Sequence, residues 1–160
     1  SRRSALHAPV VIIAAGSDPV KLPFVDFDGE RVVSSTGALS LTKVPDSLLV
    51  IGAGVIGLEL GSVWSRLGSK VTFVEFLDRI VPGADSAVTK LIKRSMEQQL
   101  GAQFHMSTKV TAVDKKMLSN GKPGSVVSVQ PIGAKELIKL DAETVLVWFL
   151  GLSVGRGRQV

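Results

Sequence analysis

Residues 50–61 read VIGAGVIGLELG. The apolar run Leu48–Ile51 leads in with the length of a buried strand, and Val55 to Leu67 follows as a helix. Val71 to Glu75 then reads as a second strand, ending in an acid 18 positions after Gly57. That is near the ~20 residues separating the glycines from the ribose-binding acid in a dinucleotide-binding βαβ unit. Each part has a physical task. Gly52 permits a tight turn, Gly54 lets the backbone approach a pyrophosphate, and Gly57 lets the helix pack closely on the strand. The helix start offers free N–H groups and partial positive charge to phosphates. Glu75 is placed to accept hydrogen bonds from an adenosine ribose. Its charge repels a 2′-phosphate, which favours NAD over NADP, although Arg79 lies close enough in sequence to soften that preference.

The 160 residues favour one domain with a substantial core. Apolar residues make up 45% and charged residues 21%, an ordinary globular balance. No apolar run approaches the ~20 residues that span a bilayer, so no membrane partner is expected. The net charge of +5 is spread along the chain, without a basic, aromatic-interleaved stretch. Nucleic-acid binding is therefore not expected. With no cysteine, the chain itself offers no disulfide, thiolate metal site or thiol nucleophile. The only histidines, His7 and His105, make no metal-ligand set. Asp85 reads as a helix cap and Asp78 as a loop charge, while Trp64 and Trp148 read as core positions. No catalytic residue and no metal site is assigned. The opening SRRSALHAP is basic and free of acids, as transit peptides tend to be.

Outside the glycine loop, Val10 to Ala14 reads as a buried strand, and Val32–Val33 leads through SSTGALSL into a short helix. Ala84 to Leu100 reads as a helix capped by Asp85 and stopped by Gly101, with Val88, Leu91, Ile92, Met96 and Leu100 on one face. A strand is expected near Gln103 to Met106. Three strands then form an antiparallel meander: Val110 to Asp114, Ser125 to Pro131 and Glu136 to Leu140, joined by the turns SNGKPG and IGAK. Thr144 to Leu150 is continuously apolar, as a strand covered on both faces would be. The expected fold is α/β: a Rossmann-like parallel sheet with an antiparallel three-stranded β-meander insertion. Helices cover one face of the sheet, and the meander partly covers the other.

RVVSSTGALSL (31–41), KVP and LLVIGAGVIGLELGSVWSRLGSKVTFVEF (48–76) together resemble dihydrolipoyl dehydrogenase, of the pyridine nucleotide-disulfide oxidoreductases. The resemblance runs from about Val10 to Val147. IIAAGSDP resembles the family's ATG segment, which closes the flavin domain, with Ala15 where the family has Thr. STKV resembles the stretch whose valine backbone meets the adenine. The resemblance implies the following division: 1–30 a remnant of the end of the FAD-binding domain, 31–150 the NAD-binding domain, and 151–160 an atypical tail. It implies that Gly52, Ala53, Gly54, Val55, Ile56, Gly57, Leu58 and Glu59 form the NAD loop and first helical turn. Glu75 would hold the adenosine ribose and Val110 would line the adenine site. Glu59 would face nicotinamide and flavin, and Gly16 and Ser17 would touch the flavin. The family's final NAD-contacting glycine falls either at Gly151, offset by one, or within SVGRGR (153–158).

The family reaction, as the resemblance implies, carries electrons from dihydrolipoamide through a disulfide and FAD to NAD⁺. Its homodimers work within 2-oxo acid dehydrogenase complexes, in the mitochondrial matrix of eukaryotes and otherwise in the cytoplasm. This sequence departs from the family by lacking the cysteine pair and a second GxGxxG for FAD. After TVLV it reads WFLGLSVGRGRQV, where the family has a small residue, an apolar one and GRRP. The expected cofactor is thus NAD(H), bound weakly and without turnover by this chain. FAD belongs to the parent family and is not expected to be retained. The alternative is a non-binding relic or an interaction partner of full-length subunits.

Overall fold

The computed structural model describes Ala5, residues 7–12 and residues 23–148. The elements in chain order are β1 (Val32–Val33), α1 (Ser35–Leu39), β2 (Ser47–Ile51), α2 (Val55–Arg66), β3 (Lys70–Val74) and α3 (Ser86–Leu100). They continue with β4 (Gln103–His105), β5 (Thr108–Met117), β6 (Pro123–Pro131), β7 (Ile138–Ala142) and β8 (Thr144–Val147). One sheet has the order β1-β8-β2-β3-β4 and is parallel throughout. The other, β5-β6-β7, is antiparallel. The expected fold class is thus present.

The connections through α2 and α3 are long enough to return the chain parallel to its previous strand. After β4 the chain crosses through the meander and comes back on the other side of β2, as β8. The strand order therefore reverses between β2 and β8. At such a point the outgoing loops diverge and leave a crevice at the carboxyl ends of the strands. Gly52 and Trp148, the residues that follow β2 and β8, stand there.

Alternation along the strands divides the core. Leu48, Val50, Phe73 and Leu146 pack under the helices with Leu58, Trp64 and Met96. Leu49, Ile51, Val74, Val145 and Val147 pack against Val127 and Val129 of the meander. Both faces are covered, which explains why Leu48–Ile51 of β2 and Val145–Val147 of β8 are apolar without interruption. The expected strand over Thr144 to Leu150 is realised as Thr144–Val147, all buried; Phe149 and Leu150 lie outside the described residues. Helix α2 seats closely because Gly57 and Gly61 face the sheet. A Cβ on Gly61 would lie 2.4 Å from Phe73 Cζ. Trp64 is core, as its position implied.

Helix α3 starts where expected: the Asp85 carboxylate accepts from the N–H groups of Ala87 and Val88 at 2.8 and 3.2 Å. Gly101 ends it in the left-handed conformation at φ 65°. Only part of that apolar face is buried. Val88 and Leu91 are exposed, and Thr89 is buried with Met96 seven residues on. The Thr89 hydroxyl donates to the Ser86 carbonyl at 3.1 Å, so its burial leaves no polar atom unpaired.

The expected strand over Val10 to Ala14 is also corrected. Val10, Val11 and Ile12 are highly exposed and belong to neither sheet. A strand needs a ladder partner for its backbone, and among the described residues none pairs with these three. Ile13 and Ala14 lie outside the described residues. The meander strands are longer or shifted relative to expectation, notably β7, which starts at Ile138 rather than Glu136.

Asp28 fixes the approach to β1. Its Oδ1 accepts from the N–H groups of Glu30, Arg31 and Val32 at 3.1, 2.8 and 2.9 Å. Lys115 Nζ of β5 lies 3.2 Å from its other oxygen. Burial pushes this carboxyl up, but those N–H groups and the Lys115 ammonium outweigh it and hold the pKa at about 2.

Candidate nucleotide-binding site

The loop from β2 to α2 is shaped by three different demands on its glycines. Gly52 has φ +102°, where L side chains rarely sit, and a Cβ there would lie 2.3 Å from the Trp148 carbonyl oxygen. A Cβ on Gly57 would lie 2.3 Å from the Gly52 carbonyl oxygen. Both positions therefore demand glycine for protein packing alone. Gly54 does not. Its φ of −75° suits any residue, and an added Cβ would meet only the Trp148 indole, at ordinary contact distances of 3.6 Å to Nε1 and 3.8 Å to Cδ1. No backbone atom of the described residues requires glycine at position 54.

Helix α2 begins with Gly54 as N-cap and no side-chain cap. The N–H groups of its first turn, Val55, Ile56 and Gly57, thus have no capping acceptor from that residue. Val55 is exposed, Ile56 packs partly on the core, and Leu58 is buried beneath the helix. Glu59 is exposed on α2 and does not line the cavity that holds Glu75.

Glu75 lies at the end of β3 and is 9% exposed. One carboxylate oxygen accepts from the Ala53 N–H at 2.7 Å and the other from the Leu77 N–H at 2.9 Å. Ala53 is fully buried, so its N–H depends on this acceptor. A carboxylate has about four acceptor sites, and these two bonds leave capacity on both oxygens for a ligand hydroxyl. The acid is therefore pinned to the glycine loop and aimed by it.

Gly52, Glu75 and Val110, chosen from sequence, line one cavity of about 130 Å³. Ile51, Val74 and Phe76 add apolar wall, and Phe24, Thr108 and Lys109 complete it. This combination of a mainly apolar pocket, one oriented carboxylate and an adjoining uncapped helix start suits an adenosine with its phosphate at the loop. Val110 arrives there because β5 is tied to the end of β3: the Thr108 N–H donates to the Glu75 carbonyl at 2.9 Å.

Sequence reasoning did not find Phe24, Phe76, Thr108 and Lys109, and it misread Trp148. Phe76 and Thr108 were findable as neighbours of Glu75 and Val110. Phe24 reaches the cavity through tertiary folding and had no local signal. Trp148 is half-buried at the loop rather than a core position. Gly16, Ser17 and Gly151 lie outside the described residues. No group of three or more metal-ligating side chains occurs among the described residues, and no described helix is long and apolar enough to cross a membrane.

Comparison with known proteins decides the family. The sequence profile of the pyridine nucleotide-disulphide oxidoreductases matches residues 2–154. The chain belongs to that family. It is 52% identical over 147 residues to a mitochondrial dihydrolipoyl dehydrogenase of Dictyostelium discoideum, covering 91% of this chain and 28% of that protein. It is 46% identical to dihydrolipoyl dehydrogenase 3 of Pseudomonas putida, covering 90% of this chain and 30% of that protein. The chain thus spans under a third of the length of these relatives. Among solved structures, LpdA from Mycobacterium tuberculosis superposes with a TM-score of 0.70 at 24% identity, over 82% of this chain and 26% of that one, a likeness of fold. The resemblance read from GAGVIGLELG and SSTGALSL is the right one, and the chain is a dihydrolipoyl dehydrogenase-like oxidoreductase domain.

Proposed function

We propose that residues 31–150 are the NAD(H)-binding domain of a dihydrolipoyl dehydrogenase-like flavoprotein, and that this chain alone binds NAD(H) weakly without turnover. Residues 1–30 correspond to the end of the flavin domain, and 151–160 to an atypical tail. The observation that carries the reading is the convergence of Gly52, Glu75 and Val110 on one cavity beside the uncapped start of α2. In this reading Glu75 accepts from the adenosine ribose hydroxyls, the cavity holds the adenine, and the first-turn N–H groups of α2 meet the phosphates. NAD supplies a hydride acceptor when bound; the residues described here bind and orient its adenosine end. Glu59 would face the nicotinamide and the flavin in the parent reaction, in which dihydrolipoamide is oxidised within a homodimeric complex component. With no cysteine, this chain itself holds no disulfide relay. The compartment follows the relatives: mitochondrial matrix in a eukaryote, cytoplasm otherwise.

The test is an assay of lipoamide-dependent NADH formation together with the visible spectrum and an NADH titration of the purified chain. Saturable NADH binding by a colourless protein without turnover is expected. Bound flavin or turnover would contradict the reading on activity. Absence of NADH binding by a folded chain would replace it with the non-binding relic.

A further inference from the structure

The second glycine of the loop keeps space open in the direction its Cβ would take, which is the side from which a pyrophosphate approaches the backbone. In this chain that direction points at the Trp148 indole, whose Nε1 and Cδ1 lie 3.6 and 3.8 Å from the would-be Cβ. The ring is delivered there by a fixed backbone. The Trp148 N–H donates to the Ile51 carbonyl at 3.0 Å, continuing the β2–β8 pairing. Its own carbonyl oxygen would lie 2.3 Å from a Cβ on Gly52. Only side-chain rotation can move the indole away. The cavity holding Glu75 and Val110 does not include Trp148 among its walls. The two halves of the site are therefore differently disposed: the adenosine half is open, and the pyrophosphate half has an indole edge on its approach.

We propose that Trp148 is a specificity-determining residue that restricts this site to the adenosine end of the dinucleotide, so that adenosine monophosphate binds about as tightly as NADH. The proposal rests on the NAD(H)-binding reading above and adds which half of the ligand is held. The rest of NADH, beyond the first phosphate, gains no contact while the indole lies against Gly54.

Calorimetric titration of AMP and NADH into the unaltered chain, Trp148→Ser and Trp148→Phe tests it, with circular dichroism as a check on folding. In the unaltered chain the two dissociation constants should agree within about threefold. Trp148→Ser should tighten NADH roughly tenfold or more and leave AMP within about twofold. Trp148→Phe, which keeps a ring in place, should behave like the unaltered chain. The proposal is overturned if the unaltered chain binds NADH tenfold or more tighter than AMP, or if a folded Trp148→Ser shows no gain for NADH. The first comparison needs no substitution, so it decides the matter even if Trp148→Ser fails to fold. If no folded variant binds either ligand, the NAD(H)-binding reading falls and takes this proposal with it. NADH binding tenfold or more tighter than AMP in the unaltered chain sinks the proposal alone.

Discussion

The two sides of Gly52 are built by opposite means. On the proposed adenosine side, Glu75 is buried and held by two backbone N–H groups, and Ile51, Val74 and Val110 of three strands form part of the cavity wall. On the proposed phosphate side, a Cβ on Gly54 would meet a single side chain at van der Waals distance. A backbone-held site is fixed whenever the domain is folded, because moving it breaks the sheet. A side-chain-lined one can be altered by one substitution without cost to the core. Binding of the adenosine end should therefore follow the stability of the domain, and access for the phosphates should not.

Substitutions separate these regions. The largest effect belongs to Gly52→Ala and Gly57→Ala, where the new Cβ meets a carbonyl oxygen at 2.3 Å and, at Gly52, also a φ of +102°. Strain and overpacking together should cost roughly 2–5 kcal/mol, read from urea denaturation; a loss below ~1 kcal/mol would mean that the loop geometry is wrong. Glu75→Ala comes next. It leaves the buried Ala53 N–H and the Leu77 N–H without an acceptor, so roughly 2–4 kcal/mol of stability should go together with nucleotide binding. Loss of binding with unchanged stability would show that the carboxylate is not tied to the loop.

Asp28→Ala lies away from the cleft and serves as the control. Losing an acceptor shared by three N–H groups should cost about 1–2 kcal/mol, as for a lost helix cap, without changing the ratio of AMP to NADH affinity. The Asp28 carboxyl falls from 3.8 to about 2 on folding. Its contribution is therefore fully present above pH ~4 and is lost as the pH falls toward about 2. Acid titration of the unaltered chain against Asp28→Ala should show the two stabilities converging over that window. The smallest effect on stability is expected for Gly54→Ala, within about 1 kcal/mol, since its Cβ would make only ordinary contacts. In a Trp148→Ser background the same change should remove the gain in NADH affinity. A strongly destabilised Gly54→Ala would erase the contrast between the two sides.

Most of the fold, and the meeting of Gly52 and Glu75 at one cavity, were legible in the sequence because they depend on local rules. The glycine spacing, the apolar strands and the acid at the end of the second strand each act within one βαβ unit. Asp85 and Gly101 marked the ends of α3 because caps are local too. The burial of Thr89 on α3 was not legible because this side chain, polar in sequence, satisfies its hydroxyl on its own helix and so can turn inward. Val10 to Ile12 were misjudged because an apolar run becomes a strand only where a partner edge exists. Trp148 was missed as a site residue because its position is set by the topology that brings β8 beside β2, and Phe24 because it joins Val74 and Val110 at the cavity only through contacts distant in sequence.

The most direct test of the account is titration of the unaltered chain with NADH and NADPH under identical conditions. The proposed placement of Glu75 at the ribose requires that NADH bind saturably at millimolar concentration or below, and NADPH at least tenfold more weakly, since its 2′-phosphate would meet a buried carboxylate. Equal binding of the two nucleotides, or no binding of either by a folded chain, would contradict it.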